Sequence, residues 1–330
     1  MHMQSLKQNI QTDTVLRLEQ LRKEFTIGTV SKRQVHVVNG IDLEIGSREI
    51  VALVGESGSG KTTVARLVAR LYKPTSGRIF LHSTEVPRRM NKRESLHYRK
   101  TVQMIFQDPY ASLNSLHPVR YAIERPLKIH GLVSRGELKE RVVSVMEECG
   151  LRPAERFLSR YPHELSGGQR QRIGIARALA VRPELILADE PTSMLDVSIR
   201  LDIMNLLMDL REKENLSYLF ITHDLAGARY VSDRVAIMYA GHLMEVGPSS
   251  DVISEPKHPY TQLLKAAAPK PESGTEPERI DVGGEVPDLT ALPPGCPFEP
   301  RCPLAKAECR ERLPEMRVIS PKHSVRCVLY

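Results

Sequence analysis

The stretch Gly55-Glu56-Ser57-Gly58-Ser59-Gly60-Lys61-Thr62 constrains this chain more than any other. It follows the apolar run Ile50–Val54, and after Lys61 the residues Thr62 to Leu71 show helical periodicity, so strand, loop and helix succeed one another without spare residues. Glycines let the backbone curl until successive N–H groups point inward, and the following helix adds its positive N-terminal end. Such a loop cradles phosphate oxygens. The candidate contacts are Gly55, Glu56, Ser57, Gly58, Ser59, Gly60, Lys61, Thr62 and Thr63. Lys61 can reach β- and γ-phosphates as a point charge, and the Thr62 hydroxyl is a hard oxygen suited to Mg²⁺.

The rest of the chain extends this pattern. Aliphatic runs at Val15–Leu18, Arg78–Leu81, Val102–Phe106, Leu185–Ala188, Tyr218–Ile221 and Val235–Tyr239 read as strands, the last followed by a hairpin turn at Ala240-Gly241. Residues 120–160 have amphipathic spacing and no strand-like run, which predicts an α/β core interrupted by a helical insert. At 330 residues the chain exceeds the usual single domain, so a smaller unit is expected beside the core. Of 23 prolines, 13 fall in residues 256–330, together with Cys296, Cys302, Cys309 and Cys327. The fifth cysteine, Cys149, reads as a small packed residue. No apolar run approaches the 18 or more residues of a spanning helix. The polar start, Met1 to Thr14, lacks the apolar centre of a secretion signal, so a reducing cytoplasmic setting is expected and disulfides are disfavoured.

Two further segments carry chemistry. Leu185-Ile186-Leu187-Ala188-Asp189-Glu190 is an apolar strand ending in two carboxylates, Asp189 suited to Mg²⁺ and Glu190 to polarising an attacking water. Leu165-Ser166-Gly167-Gly168-Gln169 is a second glycine loop feeding a helix, a further anion site in a chain with one phosphate loop. Two half-sites imply a dimer.

With these three segments the chain resembles the ATP-binding cassette (ABC) ATPases, whose signature is LSGGQ. The resemblance implies an α/β P-loop NTPase fold, a RecA-like core with a helical subdomain at about residues 108–170. It implies ATP and Mg²⁺ as ligands, with Thr62, Gln107 and Asp189 on the metal. Gln107 matches the Q-loop glutamine, Ser193-Met194-Leu195-Asp196 the D-loop with Met194 where Ala is more usual, and His223 the switch histidine. Phe25 takes the place of the aromatic that stacks on adenine. In the implied mechanism, ATP on one subunit's Gly55–Thr63 loop is closed over by Ser166, Gly167, Gly168 and Gln169 of the opposite subunit, with Asp196 at the contact. Glu190, Lys61, Gln107 and His223 are the implied catalytic residues.

Gln107-Asp108-Pro109-Tyr110-Ala111-Ser112-Leu113-Asn114, His258-Pro259-Tyr260-Thr261, Gly284-Glu285-Val286-Pro287 and Gly295-Cys296-Pro297-Phe298-Glu299-Pro300-Arg301-Cys302-Pro303 narrow the likeness. Together they resemble the ATP-binding subunits of peptide/nickel importers. The implied division is a nucleotide-binding domain at 14–250 and a C-terminal extension at 251–330. Two transmembrane permeases and a second ATP-binding subunit, a paralogue or the chain itself, are the implied partners, with an extracytoplasmic solute-binding protein reached indirectly. The implied place is peripheral, on the cytoplasmic face of the membrane.

The cysteine spacing is C-x5-C-x6-C-x17-C. It lacks the C-x2-C knuckle of common zinc sites and fits neither standard ferredoxin spacing. Four thiolates suit tetrahedral zinc or an iron–sulfur cluster equally by softness. The resemblance implies a four-iron four-sulfur cluster, with zinc as runner-up and His323 as a fallback ligand. A Pro-rich region with little apolar content gains from such a staple.

The rival reading is a non-transport ABC ATPase acting on nucleic acid or the ribosome. The formal charge of +7 leaves it open, yet Arg88 to Lys100 holds six basic residues against Glu94, and the remainder is close to neutral. With no Trp and 5% aromatics, the chain also lacks the makings of a base-stacking platform, so no nucleic-acid partner is expected.

Overall fold

The computed structural model describes residues 14–28, 31–267 and 287–330. Residues 1–13 and most of the Gly284–Pro287 motif lie outside them. The chain opens with two long strands, β1 (Thr14–Ile27) and β2 (Arg33–Gly46), paired antiparallel with Leu18 opposite Leu43. Next comes β3 (Ile50–Val54), the phosphate-loop segment and α1 (Lys61–Val68). Strands β4 (Ser76–Leu81) and β5 (Thr84–Glu85) complete a four-stranded sheet in the order β2-β1-β4-β5.

Helix α2 (Lys92–Thr101) carries much of the basic run and starts on a capping box between Asn91 and Glu94. It leads into β6 (Val102–Ile105). Helices α3 (Pro109–Ser112), α4 (Val119–His130) and α5 (Leu138–Glu148) follow within residues 108–170, and α6 (Gly167–Leu179) starts there and runs beyond. The chain then alternates β7 (Leu185–Asp189), α7 (Val197–Glu214), β8 (Ser217–Thr222), α8 (Leu225–Val231) and β9 (Arg234–Tyr239). Ala240 and Gly241, with φ of 44° and 80°, make the expected hairpin turn into β10 (His242–Pro248), a left-handed pair that suits the strand twist.

The second sheet has eight strands and, with β11 (Arg317–Ser320) and β12 (His323–Val325) from the C-terminal region, the order is β11-β12-β10-β9-β3-β8-β7-β6. Its strands β9, β3, β8, β7 and β6 run parallel, and side chains alternate between two apolar clusters. Ile50, Ala52 and Val54 face one cluster with the helical insert, while Val51 and Leu53 face the other with α1, β1 and β2. Burial on both faces explains the continuous apolar run before the phosphate loop.

The C-terminal region is joined to this core. It contains α9 (Ser249–Ser254), α10 (Pro259–Ala267), α11 (Glu308–Glu311), β11 (Arg317–Ser320) and β12 (His323–Val325). The expected boundary at 250/251 falls inside α9, and β12 pairs with β10 through Glu245–Val325 and Val246–Ser324. Cys296, Phe298 and Cys309 belong to the same apolar cluster as the helical insert. The extension therefore continues the cassette's sheet and core, because its few apolar side chains need a larger surface to pack on. Cys149 is fully buried in that cluster, as expected.

Candidate functional site

Parallel strands bring their carboxyl ends to one edge, and functional groups collect in the crevice there. Val54, Asp189 and Thr222 end β3, β7 and β8 at that edge, with β6 beside β7. The loops that follow line one cleft of about 740 Å³ with Gly55, Lys61, Thr62, Gln107, Glu190 and His223 on its wall. Glu56, Ser57, Gly58, Gly60 and Thr63 line it too.

Two glycines of the loop are structurally required. A Cβ on Gly55 would stand 2.1 Å from the Met238 carbonyl oxygen, and Gly60, at φ 104°, would place one 2.4 Å from that of Val37. The loop is thus pressed against β9 and β2. Lys61 folds back over it, donating from Nζ to the Gly55 and Glu56 carbonyls at 2.7 and 2.8 Å. Burial lowers the Lys61 pKa, against the opposing pull of Glu190 and Asp189.

Thr62 donates from Oγ1 to Asp189 Oδ1 at 2.8 Å, joining the start of α1 to the end of β7. Burial raises the Asp189 pKa, and the Thr62 hydrogen bond opposes that. Glu190 sits at φ 45°, a left-handed conformation that costs energy for a residue with a side chain. Its amide donates to Ile221 O at 3.0 Å. Gln107 Nε2 donates to Glu190 Oε2 at 3.0 Å, and His223 Nδ1 stands 3.5 Å from Oε1. Four strand ends thus bring together an ammonium, a hydroxyl–carboxylate pair and a Gln–Glu–His cluster.

Ser166, Gly167, Gly168 and Gln169 do not line this cleft. Ser166 caps α6 by accepting from the Gln169 amide at 3.2 Å, while Gln169 Oε1 accepts from the Ser166 amide at 3.0 Å. Gly167 and Gly168 pack against Leu195 and Ile199, so the signature loop rests on the D-loop and α7. Asp196 is the N-cap of α7, and Met194, Val197 and Leu201 beside it are exposed.

Phe25 is not among the residues that line the cleft; it is paired with Val35 of β2, edge-on to Tyr72 at 5.3 Å, with the Lys23 ammonium 4.7 Å from its ring. Val37, Leu264 and Leu289 supply the cleft's apolar wall. Sequence reasoning also missed Tyr260 and Arg301, which touch Glu56. Both lie in motifs noted for family likeness, with no local sign of that contact.

Cys296, Cys302, Cys309 and Cys327 line one narrow cavity of about 10 Å³ together with Phe298. Its walls are drawn in by the bond from the Cys296 amide to the Cys309 carbonyl, 2.7 Å. Burial pushes the Cys296 thiol up to about 12 and raises Cys302 and Cys327 as well. Among the described residues, no group of three or more His, Cys, Asp or Glu side chains is arranged to hold a metal ion. The four thiols converge without forming the ready ligand set expected. His323 does not line the cavity; its Nε2 stands 2.8 Å from Oε1 of buried Glu245.

Residues 38–193 match the ABC transporter family model, and residues 244–309 match the oligopeptide/dipeptide transporter C-terminal region. The oligopeptide transport ATP-binding protein AppF of Bacillus subtilis (strain 168) is 43% identical over 96% of this chain and 98% of its own length. The putative oligopeptide transport ATP-binding protein YkfD of the same organism is 45% identical over 96% of this chain and 95% of its own. Among solved structures, the ATP-binding cassette MJ0796, in a dimeric post-hydrolysis state bound to ADP and Pi, aligns with a TM-score of 0.64 at 30% identity. That alignment covers 71% of this chain and 98% of the cassette. The chain belongs to the ABC transporter ATPases, in their oligopeptide/dipeptide class.

Proposed function

We propose that this chain hydrolyses ATP for a membrane importer of peptides or related solutes. The observation that carries the reading is the single cleft in which Lys61, Thr62–Asp189 and Gln107–Glu190–His223 meet. The loop amides and Lys61 bind the triphosphate. Thr62, Asp189 and Gln107 offer the hard oxygens that Mg²⁺ takes beside phosphates, and the ion neutralises phosphate charge when bound. Water attacks the γ-phosphorus in line with the departing ADP, and the Glu190 carboxylate accepts its proton. Lys61 and His223 stabilise charge on the transferred phosphoryl group.

Ser166 to Gln169 lie off their own cleft, which leaves them free to close over ATP on a second cassette, identical or paralogous. The exposed Met194, Val197 and Leu201 beside Asp196 give that contact apolar area. The permeases dock in a groove of about 390 Å³ beside the Q-loop, lined by Leu96, Arg99, Gln103, Leu113, His117 and Tyr121. Among the described residues no helix is long and apolar enough to cross a membrane, so these partners supply the spanning segments. The place we propose is peripheral, on the cytoplasmic face beside the permeases, with a solute-binding protein acting through them. The match of the C-terminal region favours transport over work on nucleic acid.

From the convergence of Cys296, Cys302, Cys309 and Cys327 on one cavity we further propose a four-iron four-sulfur cluster as a structural staple, which the cavity would have to widen to admit. The cavity's small volume is the specific observation that favours zinc as the second reading, since a single ion asks for less room. Iron and sulfide analysis of anaerobically purified protein, with absorbance near 400 nm, tests the first; stoichiometric zinc without iron overturns it. The ATPase reading is tested by phosphate release from the purified chain with and without permeases and Mg²⁺. No ATP-dependent release in the complete assembly overturns it.

A further inference from the structure

Glu56, the second residue of the phosphate loop, is gripped by a side chain 245 positions later. Arg301 donates from Nη1 to Oε2 at 2.9 Å and from Nη2 to Oε1 at 3.0 Å, a fork on both carboxylate oxygens. Nη1 also donates to the Tyr239 hydroxyl at 3.1 Å. The Glu56 amide is held from the same side, donating to the Tyr260 hydroxyl at 2.9 Å. Side chain and backbone of one loop residue are therefore both tied to the C-terminal half of the chain.

The guanidinium is itself well seated. Its side chain is 12% exposed, and its carbon lies 5.7 Å from the rings of both Tyr239 and Phe298. Phe298 is fully buried, edge-on to Tyr239 at 5.4 Å and 5.3 Å from Tyr260. The fork to Glu56 and the bond to Tyr239 raise the Arg301 pKa, so the cation is permanent.

We infer that Arg301 is a positioning residue for the phosphate loop. Through Glu56, the C-terminal extension holds the loop in its phosphate-ready curl and so sets nucleotide affinity. The inference rests on the nucleotide-site reading above. A loop with Gly58 and Gly60 at positive φ has many other conformations open to it, and ordering it on binding costs affinity. A clamp present before ATP arrives removes part of that cost. Its effect falls on binding in ground and transition states alike, so KM moves and kcat does not.

The test uses the full chain, a fluorescent ATP analogue with Mg²⁺, and steady-state phosphate release. Arg301→Ala is expected to raise Kd about tenfold, with KM rising in step and kcat within about twofold, and Glu56→Ala to raise Kd at least as much. The double variant should bind no worse than the weaker single variant. Arg301→Lys, able to meet one carboxylate oxygen at a time, should fall between. Unchanged Kd in Glu56→Ala, additive losses, or a fall in kcat at constant KM overturns the inference. Should Arg301→Ala fail to fold, Arg301→Lys decides, since it keeps the positive charge and loses the fork: Kd should still rise severalfold with kcat unchanged, and an unaltered Kd overturns the inference. Analogue binding by the unaltered chain that survives Lys61→Ala overturns the nucleotide site itself, a result separate from failure of the Arg301 variants.

Discussion

Gln107 donates to Glu190 across the ends of β6 and β7, Nε2 to Oε2 at 3.0 Å. The glutamine follows the strand beside the groove assigned to the permeases, and the glutamate carries the carboxylate assigned to the attacking water. A shift of the helical insert on docking would act directly on that carboxylate, a short physical route between transport and hydrolysis. The left-handed backbone of Glu190 keeps its side chain on the cleft, a local cost that the surrounding strands impose.

Replacing that carboxylate separates binding from turnover. Glu190→Gln keeps the hydrogen-bonding shape and cannot accept a proton, so kcat should fall by about 10²-fold to 10⁴-fold with ATP affinity retained. Phosphate release and nucleotide titration check this, and a closed cassette dimer should accumulate with ATP on a sizing column. Turnover at the unaltered rate would remove Glu190 from its role.

Gly55→Ala tests the contact between loop and sheet. The added Cβ would meet the Met238 carbonyl oxygen at 2.1 Å, a rigid backbone atom on β9. The variant should lose about 1–3 kcal/mol of stability by overpacking, read as a lower midpoint in urea, and nucleotide binding should weaken with it.

Ser166→Ala removes the side-chain acceptor at the start of α6. A loss of about 1 kcal/mol in chain stability is expected, and Ser166→Gly should lose only a few tenths. Both should lower ATPase activity of the assembled cassette pair and leave analogue binding by the single chain unchanged, because Ser166 lies off its own cleft. Weaker binding by the isolated chain would contradict a role across the dimer.

The pH dependence of stability has a definite sign at His258. Burial pushes its imidazole from 6.5 down to about 3, and Nδ1 accepts the Tyr260 amide at 3.0 Å. The unfolded chain takes up this proton below about 6.5 while the folded chain resists until about 3. Its contribution is therefore complete above that window and falls with pH by about 1.4 kcal/mol per unit inside it. The melting temperature should drop between pH 7 and pH 5, and drop less in His258→Asn. Parallel curves for the two proteins would count against this.

The amino-acid sequence alone determined whatever depends on neighbouring residues. Gly55–Thr62, Leu185–Glu190 and Leu165–Gln169 each combine a strand or helix with the groups it presents, so their chemistry is legible as text. The strand runs and the Ala240-Gly241 hairpin were legible for the same reason, since period and turn geometry are local. Tertiary structure alone decided which apolar side chains wall the cleft, bringing Val37, Leu264 and Leu289 to the phosphate loop. It also decided that the C-terminal extension shares the cassette's sheet through β12 and grips Glu56 through Arg301. These contacts join residues far apart in the chain, where packing and charge select the partner and no spacing records it.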